Sequence, residues 1–442
     1  MDPIPGDSRM KILHTADWHL GVTTNRISRA ADHDHFLHWL FDLLVQEEVD
    51  ALVVAGDIFD NPQPSGGAQE QYYGFLARCA LQKGLQLVIV GGNHDAPSRL
   101  HAPARLLRQL KIHVAGGMNP ESMDADLHLV PLRNRTGQIG AVVLAVPFVP
   151  EWRLGARLLT QDGEKALETQ VSDRLEKIYS DLADLAEATY PGVPLVATGH
   201  LTVRSSDSDR KEDVEIHRVG SIDAVSPSIF DPRIRYVALG HIHQSYPVDA
   251  ERRAWYSGSP IPIGVRDGAA QRRVLLVELD PETGAVTVEP RPVPGSRPLI
   301  QMEGSLEEVQ DQIRGLVIEG PLPPLLYIEV KGEELPRSFD EAFNEALESH
   351  PPGSRPGVPE LRFTRTGTGD TPGSTVGNGP DVRDEQGNLD PHKVFEALIN
   401  VGGGSEEAEV RAAEVRVAFH RLLSMSDEEV QEEVEALERR TP

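Results

Sequence analysis

The chain has 442 residues, 39% of them hydrophobic, with one cysteine and a formal net charge of −26. That length predicts two or three units with real cores, one cysteine excludes a disulfide framework, and no apolar run approaches the roughly 18 residues that span a bilayer. The acidity is uneven: from Gln301 onward 30 acidic residues face 13 basic ones, against 39 and 30 before it, so the front of the chain keeps room for local basic patches although the total opposes a polyanionic partner.

Residues 1–9 hold two prolines, a glycine and no apolar core, and read as a disordered extension without a secretory signal. From Met10 to about Leu110 apolar strands alternate with helical patterns, the signature of βαβ units. A strand over 11–15 leads to a helix carrying Phe36, Leu37, Leu40, Phe41 and Leu44, whose neighbours His33, His35 and His38 are expected on its solvated face. A strand over 51–55 leads to a helical pattern around Tyr72 and Leu76 that contains Cys79, expected to be a packed core thiol. A third strand over 87–90 ends at two glycines, and more strands fill 112–150.

Residues 164–188 form a charged helix with Leu167, Val171, Leu175, Ile178 and Leu182 as its buried stripe. The polar reach over 204–215 reads as a mobile loop or a substrate lip. Strands over 255–279 close a domain spanning 10–290, and a proline-rich hinge at 290–298 leads to a compact α+β unit over 299–365. Capping boxes at Ser305 to Glu308 and Ser338 to Glu341 start its two helices. Residues 366–389, rich in Gly, Thr, Asp and Asn, should be a flexible linker. Two amphipathic helices over 390–442, with Phe395, Leu398, Phe419 and Leu422 among their apolar residues, are expected to dock on a partner.

Five apolar strands each end in a residue type that binds metals: Asp17 and His19, Asp57, Asn93, His200, and the pair His241 and His243. In open α/β sheets the carboxyl ends of the strands are where ligands sit. If these strands lie side by side, their rim assembles a dinuclear metal site. Carboxylate and amide oxygens mixed with imidazoles suit Mn, Fe or Zn, and no cysteine takes part. Two ions roughly 3.5–4 Å apart can clamp the attacking and leaving oxygens of a phosphoryl displacement. Asp57, alone after its strand, is the natural bridging carboxylate; His94 is a candidate general acid or charge stabiliser, and Asp95 is expected to orient it. Arg26, Arg29, Arg99, Arg204, Arg210 and Lys211 are candidate phosphate contacts. The chain holds no Gly-x-x-x-x-Gly-Lys-Ser/Thr, so no nucleotide site is expected in it.

The motifs Asp17-x-His19, Gly56-Asp57-x-x-Asp60, Gly92-Asn93-His94-Asp95, Gly199-His200 and Gly240-His241-x-His243 together resemble the calcineurin-like metallophosphoesterases. The words around Asp17, around His200-Leu201-Thr202 and at Gly258-Ser259-Pro260-Ile261-Pro262 are similar to the bacterial nuclease branch of that family. The resemblance implies an αββα sandwich of mixed sheets flanked by helices, a small capping domain and C-terminal helices. It implies a double-strand DNA exonuclease and single-strand or hairpin endonuclease of DNA repair, recombination and replication, cytoplasmic and homodimeric. It implies two divalent ions, Mn2+ with Mg2+ as the alternative: Asp17, His19, Asp57 and His243 would hold one, and Asp57, Asn93, His200 and His241 the other, with His94 as catalytic histidine. The tail helices would bind the coiled-coil base of a separate ATPase partner. Archaeal and eukaryotic relatives carry a histidine three residues after the bridging aspartate; Asp60 stands here, so that second histidine is not carried over. A small-molecule or cyclic-nucleotide phosphodiesterase, or an inactive scaffold, are the other readings; the long loop, the added unit and the tethered helices speak against a small substrate.

Overall fold

In the computed structural model, which describes residues 9–154, 164–204, 224–249, 254–264, 271–318, 320–332 and 339–365, the alternation of strand and helix follows the apolar pattern. The chain begins with β1 (Met10–Thr15), the short hairpin β2 (Thr23–Thr24) and β3 (Ile27–Ser28), α1 (Ala30–Gln46), β4 (Ala51–Ala55), α2 (Gly66–Leu81) and β5 (Gln86–Val90). Two short helices, α3 (Pro97–His101) and α4 (Ala104–Gln109), lead to β6 (Ile112–Ala115). Then come α5 (Ala125–His128), β7 (Leu129–Arg133), β8 (Ile139–Leu144), α6 (Glu164–Thr189), β9 (Leu195–His200) and β10 (Ile234–Gly240). β11 (Tyr246–Asp249), β12 (Ala254–Tyr256), β13 (Arg273–Leu279) and β14 (Val286–Pro292) complete the run.

These strands build two mixed six-stranded sheets. The first has the order β14-β13-β1-β4-β5-β6, parallel from β1 to β6 with β13 returning antiparallel beside β1. The second has the order β11-β12-β10-β9-β8-β7, its four inner strands parallel and its edges antiparallel. Side chains alternate across each strand, and that alternation assigns the layers. Ile12, Val53 and Val88 face Val143, Val196 and Ala238 in a core between the sheets. Leu13, Leu52 and Ile89 point the other way, under α1 and α2. Val142, Leu195 and Val237 pack beneath α6. The result is the expected αββα sandwich. Small residues, Ala16, Ala55, Ala145 and Ala238 among them, line the inter-sheet layer and let the two sheets approach closely near the ends of their parallel strands.

β15 (Leu299–Gly304), α7 (Leu306–Arg314), β16 (Leu325–Gly332), α8 (Phe339–Glu348) and β17 (Gly357–Arg365) form a separate three-stranded sheet with its own core of Val309, Ile313, Ile328 and Phe343. Both of its strand pairs are parallel. The unit is therefore a small parallel βαβαβ fold, because each helix serves as a crossover between neighbours. The Ser305 capping box forms, with the Ser305 amide donating to Glu308 at 2.8 Å. Ser338, the linker over 366–389 and the helices over 390–442 lie outside the described residues, as does the extension up to residue 8. β14 carries the first sheet to Pro292, just past the expected boundary. No helix of the described residues is long and apolar enough to cross a membrane.

α1 buries Phe36, Leu37, Leu40, Leu43 and Leu44 and leaves His35 and His38 exposed. His33 departs from expectation: it is fully buried, with Nε2 donating to the Trp18 carbonyl at 2.6 Å. Cys79 is buried, and burial pushes its thiol up to about 12, which makes it an inert packing group.

One polar pair interrupts the inter-sheet core. His14 of β1 and Tyr236 of β10 are fully buried and hydrogen-bonded at 2.8 Å. Burial lowers the His14 pKa to about 3. The unfolded chain therefore takes up this proton first: the stability contribution is complete above pH 6.5 and is lost as pH falls from there toward 3, by up to about 1.4 kcal/mol per unit. Replacing His14 with Gln, which keeps a partner for Tyr236 but does not titrate, should flatten the dependence of the urea midpoint on pH between 6.5 and 4.

Candidate metal centre

β1, β4 and β5 are neighbours in the first sheet, and β9 and β10 are neighbours in the second. Their carboxyl ends meet at one edge of the sandwich, where all seven sequence-selected side chains come together. Asp57 lies at the middle: its Oδ2 is 3.5 Å from His19 Nε2 and 3.3 Å from His200 Nε2. On the His19 side, one ligand atom each from Asp17, His19 and Asp57 falls within a 4.8 Å group, and the His243 ring lies 5.0 Å from that of His19. On the His200 side, Asn93 Oδ1 is 3.0 Å from His200 Nε2 and 3.1 Å from His241 Nδ1. The Asp57 carboxylate thus stands between two imidazole clusters.

The backbone is bent to make this possible. Asp17, His19, Asp57 and His241 all adopt positive φ, at 52°, 48°, 49° and 98°, a region that costs an L-residue about 1–2 kcal/mol. Cross-links hold these turns. Asp17 and His19 donate their amides to the carbonyls of Gly56 and Asp57, each at 3.0 Å. The His241 amide donates to Asp17 Oδ1 at 2.8 Å, and the His94 amide to Asp57 Oδ1 at 2.9 Å. Gly92 is required by contact rather than by a turn: a Cβ there would sit 2.1 Å from Asp57 Oδ1. At Gly56 a Cβ would sit 2.1 Å from His200 Nδ1.

The electrostatics are those of a cation site. His200 Nδ1 donates to the Ala55 carbonyl at 2.9 Å, so Nε2 presents a lone pair to the oxygens of Asn93 and Asp57. Asp17 Oδ2 is buried with no hydrogen-bond partner. Acceptors converging on acceptors repel unless positive charge sits among them. In this structure protons carry that charge. Burial alone would lower His19 and His200, yet the Asp57 and Asp17 carboxylates, with Asp60 beside His19, raise both to about 9. Burial raises Asp17 to about 7, against the pull of His200 and with the push of Asp57. Asp57, despite burial, is held well below the usual range by His200, His94 and His19. Hard oxygens mixed with imidazoles, all converging, fit divalent metal ions.

His94 adjoins this cluster, its ring 4.8 Å from that of His19. Its Nδ1 donates to the main-chain carbonyl of Asp60 at 2.7 Å, which fixes the tautomer and leaves Nε2 as the atom that can serve a substrate. The partner is therefore Asp60, not Asp95. The Asp95 carboxylate accepts instead from the amides of Ile58, Phe59 and Gly92, at 3.0, 3.0 and 2.8 Å, and braces the loop after β4 to the loop after β5. The Asp60 side chain reaches within 3.4 Å of His19 Nδ1, which gives it a place the sequence left open.

Among the candidate phosphate contacts, Arg26, Arg99 and Arg204 are exposed. Arg29 is not. It is fully buried, donating to Asp32 from Nε at 3.1 Å and to the Pro262 carbonyl at 2.8 Å. A guanidinium with internal partners cannot also meet DNA. Arg210 and Lys211 lie outside the described residues. Sequence reasoning missed an apolar cleft beside His200 and His241, lined by Pro147, Phe148, Leu154 and Tyr179; the apolar run through Val146 and the nearby Phe148 was its one available signal.

The chain belongs to the calcineurin-like phosphoesterase family, whose model matches residues 10–245. Within that family it is similar to SbcD, one of the two components of the nuclease SbcCD. The SbcD protein of Rhodobacter capsulatus is 38% identical over 357 residues, covering 77% of this chain and 85% of the relative. That of Escherichia coli K12 is 32% identical over 353 residues, covering 77% and 83%. That of Bacillus subtilis is 30% identical over 273 residues, covering 62% and 67%.

Because metal ligands must be deprotonated, binding has to displace the protons on His19 and His200. Both stand near 9 in the metal-free protein, so Mn2+ affinity should rise steadily from pH 6 toward 9. Calorimetric titration in buffers of different ionisation enthalpy should register net proton release on binding.

Proposed function

We propose that this chain is the metal-dependent nuclease component of an SbcCD-type complex. In this reading it hydrolyses DNA phosphodiesters as a double-strand exonuclease and as a single-strand or hairpin endonuclease. The observation that carries it is the convergence of seven oxygen and imidazole donors about Asp57, with His94 beside them. The relatives are named as part of the nuclease SbcCD, which supports the substrate class and the partnership.

Asp17, His19, Asp57 and His243 would hold one divalent ion, and Asp57, Asn93, His200 and His241 a second, with Mn2+ the proposed metal and Mg2+ the alternative. When bound, such a pair activates water and neutralises charge on a phosphoryl group. The chain's own residues do the rest. Asp57 separates the two imidazole clusters and is positioned to bridge. His94, held through Nδ1 by the Asp60 carbonyl, has Nε2 to give a proton to, or stabilise charge on, the leaving oxygen. Asp95 keeps the loops that carry Asp57 and Asn93 in register. Exposed Arg26, Arg99 and Arg204 are proposed to meet the DNA backbone.

The helices over 390–442 are proposed to engage an SbcC-type ATPase, since the chain itself has no phosphate-binding Gly-x-x-x-x-Gly-Lys motif. Exposed Tyr73 and Leu81 on and beside α2, with Leu106 and Leu110 on and after α4, support a homodimer that covers them.

The deciding experiment is a nuclease assay of the purified chain on linear and hairpin duplexes with Mn2+, with and without the ATPase. His94→Gln should lower kcat by about 100-fold or more, as expected for loss of a general acid, while Mn2+ and DNA binding stay near wild type. Equal loss of binding and cleavage would contradict the role given to His94. Truncation before Asp390 should spare Mn2+-dependent endonuclease activity and abolish co-purification with the ATPase.

A further inference from the structure

The loop that carries Asp17 and His19 is held from behind by residues that take no part in the chemistry described above. Trp18 lies between two left-handed residues. Its indole packs edge-on against Phe36 and Phe75, with ring centroids 5.9 and 5.5 Å away, and donates to Thr15 Oγ1 at 3.1 Å. Its carbonyl accepts the 2.6 Å hydrogen bond from His33 Nε2. His33 occupies the first turn of α1, next to Asp32, and Asp32 is fully buried too. The Asp32 carboxylate is gripped by Arg29, by Ser296 Oγ at 2.6 Å and by Arg297 Nε at 3.0 Å.

Ser296 and Arg297 immediately precede β15 of the C-terminal three-stranded unit. The Ser296 carbonyl accepts from the Leu322 amide at 3.1 Å, in the loop before β16, and the Pro298 carbonyl accepts from the Leu325 amide at 3.0 Å. Direct contacts therefore run from that unit through Ser296 and Arg297 to Asp32, from the adjoining His33 to the Trp18 carbonyl, and so to the strained turn bearing Asp17 and His19.

We propose that His33 is a positioning residue for the metal centre, and that the grip of Ser296 and Arg297 on Asp32 makes this positioning depend on the seating of the C-terminal unit. The inference rests on the two-metal reading. Residues 17 and 19 hold their unfavourable φ values only while the surroundings over-determine them. Releasing the Trp18 carbonyl removes one of those restraints and lets both side chains turn away from Asp57. Asp32 and His33 are consecutive on one helical turn, so a shift of the first displaces the second. The C-terminal unit can thus tighten or loosen the site without touching it.

The test uses the full-length chain, Mn2+ titrated by calorimetry, and the electron paramagnetic resonance signature of a coupled Mn2+ pair. His33→Leu should weaken Mn2+ binding about tenfold, the scale seen when a support of a metal ligand is removed. His33→Gln, whose amide can donate to the same carbonyl, should recover most of that loss and the coupled-pair signal. Should His33→Leu fail to fold, His33→Asn, too short to reach, takes its place. The double variant Ser296→Ala, Arg297→Met should weaken Mn2+ binding by about threefold, between no effect and the loss of a direct support. Wild-type affinity in His33→Leu with only a lowered melting temperature would reduce His33 to a packing role and overturn the proposal. Equal impairment in the Leu and Gln variants would do the same. Wild-type affinity in the double variant would sever the C-terminal unit from the relay. A wild-type protein that binds no Mn2+ pair would overturn the underlying two-metal reading instead.

Discussion

Everything at the candidate centre answers to one constraint: buried oxygens and imidazole lone pairs are made to face each other. Asp57 Oδ2 within 3.5 Å of two imidazoles, and Asp17 Oδ2 with no hydrogen-bond donor, describe an arrangement that would fly apart without positive charge. Protons supply it in the metal-free chain, which is why His19 and His200 hold theirs to about 9. A fold that spends stability to crowd acceptors together has a use for a cation there, because burying them apart, each with its own donor, would cost far less.

The sandwich provides the rigidity this crowding needs. Five parallel strands from two sheets deliver their carboxyl ends to one rim, and alanine in the inter-sheet layer brings the two halves of the rim within bonding distance. Four left-handed residues then aim the side chains. Three amide donors to Asp95 show how loops are tied to each other rather than to bulk solvent. Chemistry and packing are thus separable: strand length and alternation set where the rim lies, and short backbone hydrogen bonds decide how its side chains point.

That separation also explains what could be read from the sequence. The strands, the αββα class and the seven convergent residues were legible because each rests on a short local word, an apolar run closed by glycine and a polar residue. Less legible were partnerships made through backbone atoms. Nothing in the sequence states that the Trp18 carbonyl lacks a strand partner and draws His33 inward, or that Asp60 serves His94 through its carbonyl while Asp95 collects amides. Arg29 read as surface charge because its partners, Asp32 and Pro262, are respectively too close and too far in sequence to stand out. The C-terminal unit read as α+β since the pattern shows elements in order but not the direction of pairing.

The antiparallel strand beside β1 carries a consequence for biosynthesis. Leu13, just before the first carboxylate turn, pairs with Leu276, and the imidazoles at 241 and 243 arrive almost as late. A nascent polypeptide emerging from the ribosome can complete neither the neighbour of its first strand nor the donor set until most of it has been translated. The hydrolytic centre is therefore armed only near the end of synthesis, a built-in delay that keeps unfinished copies from cutting anything.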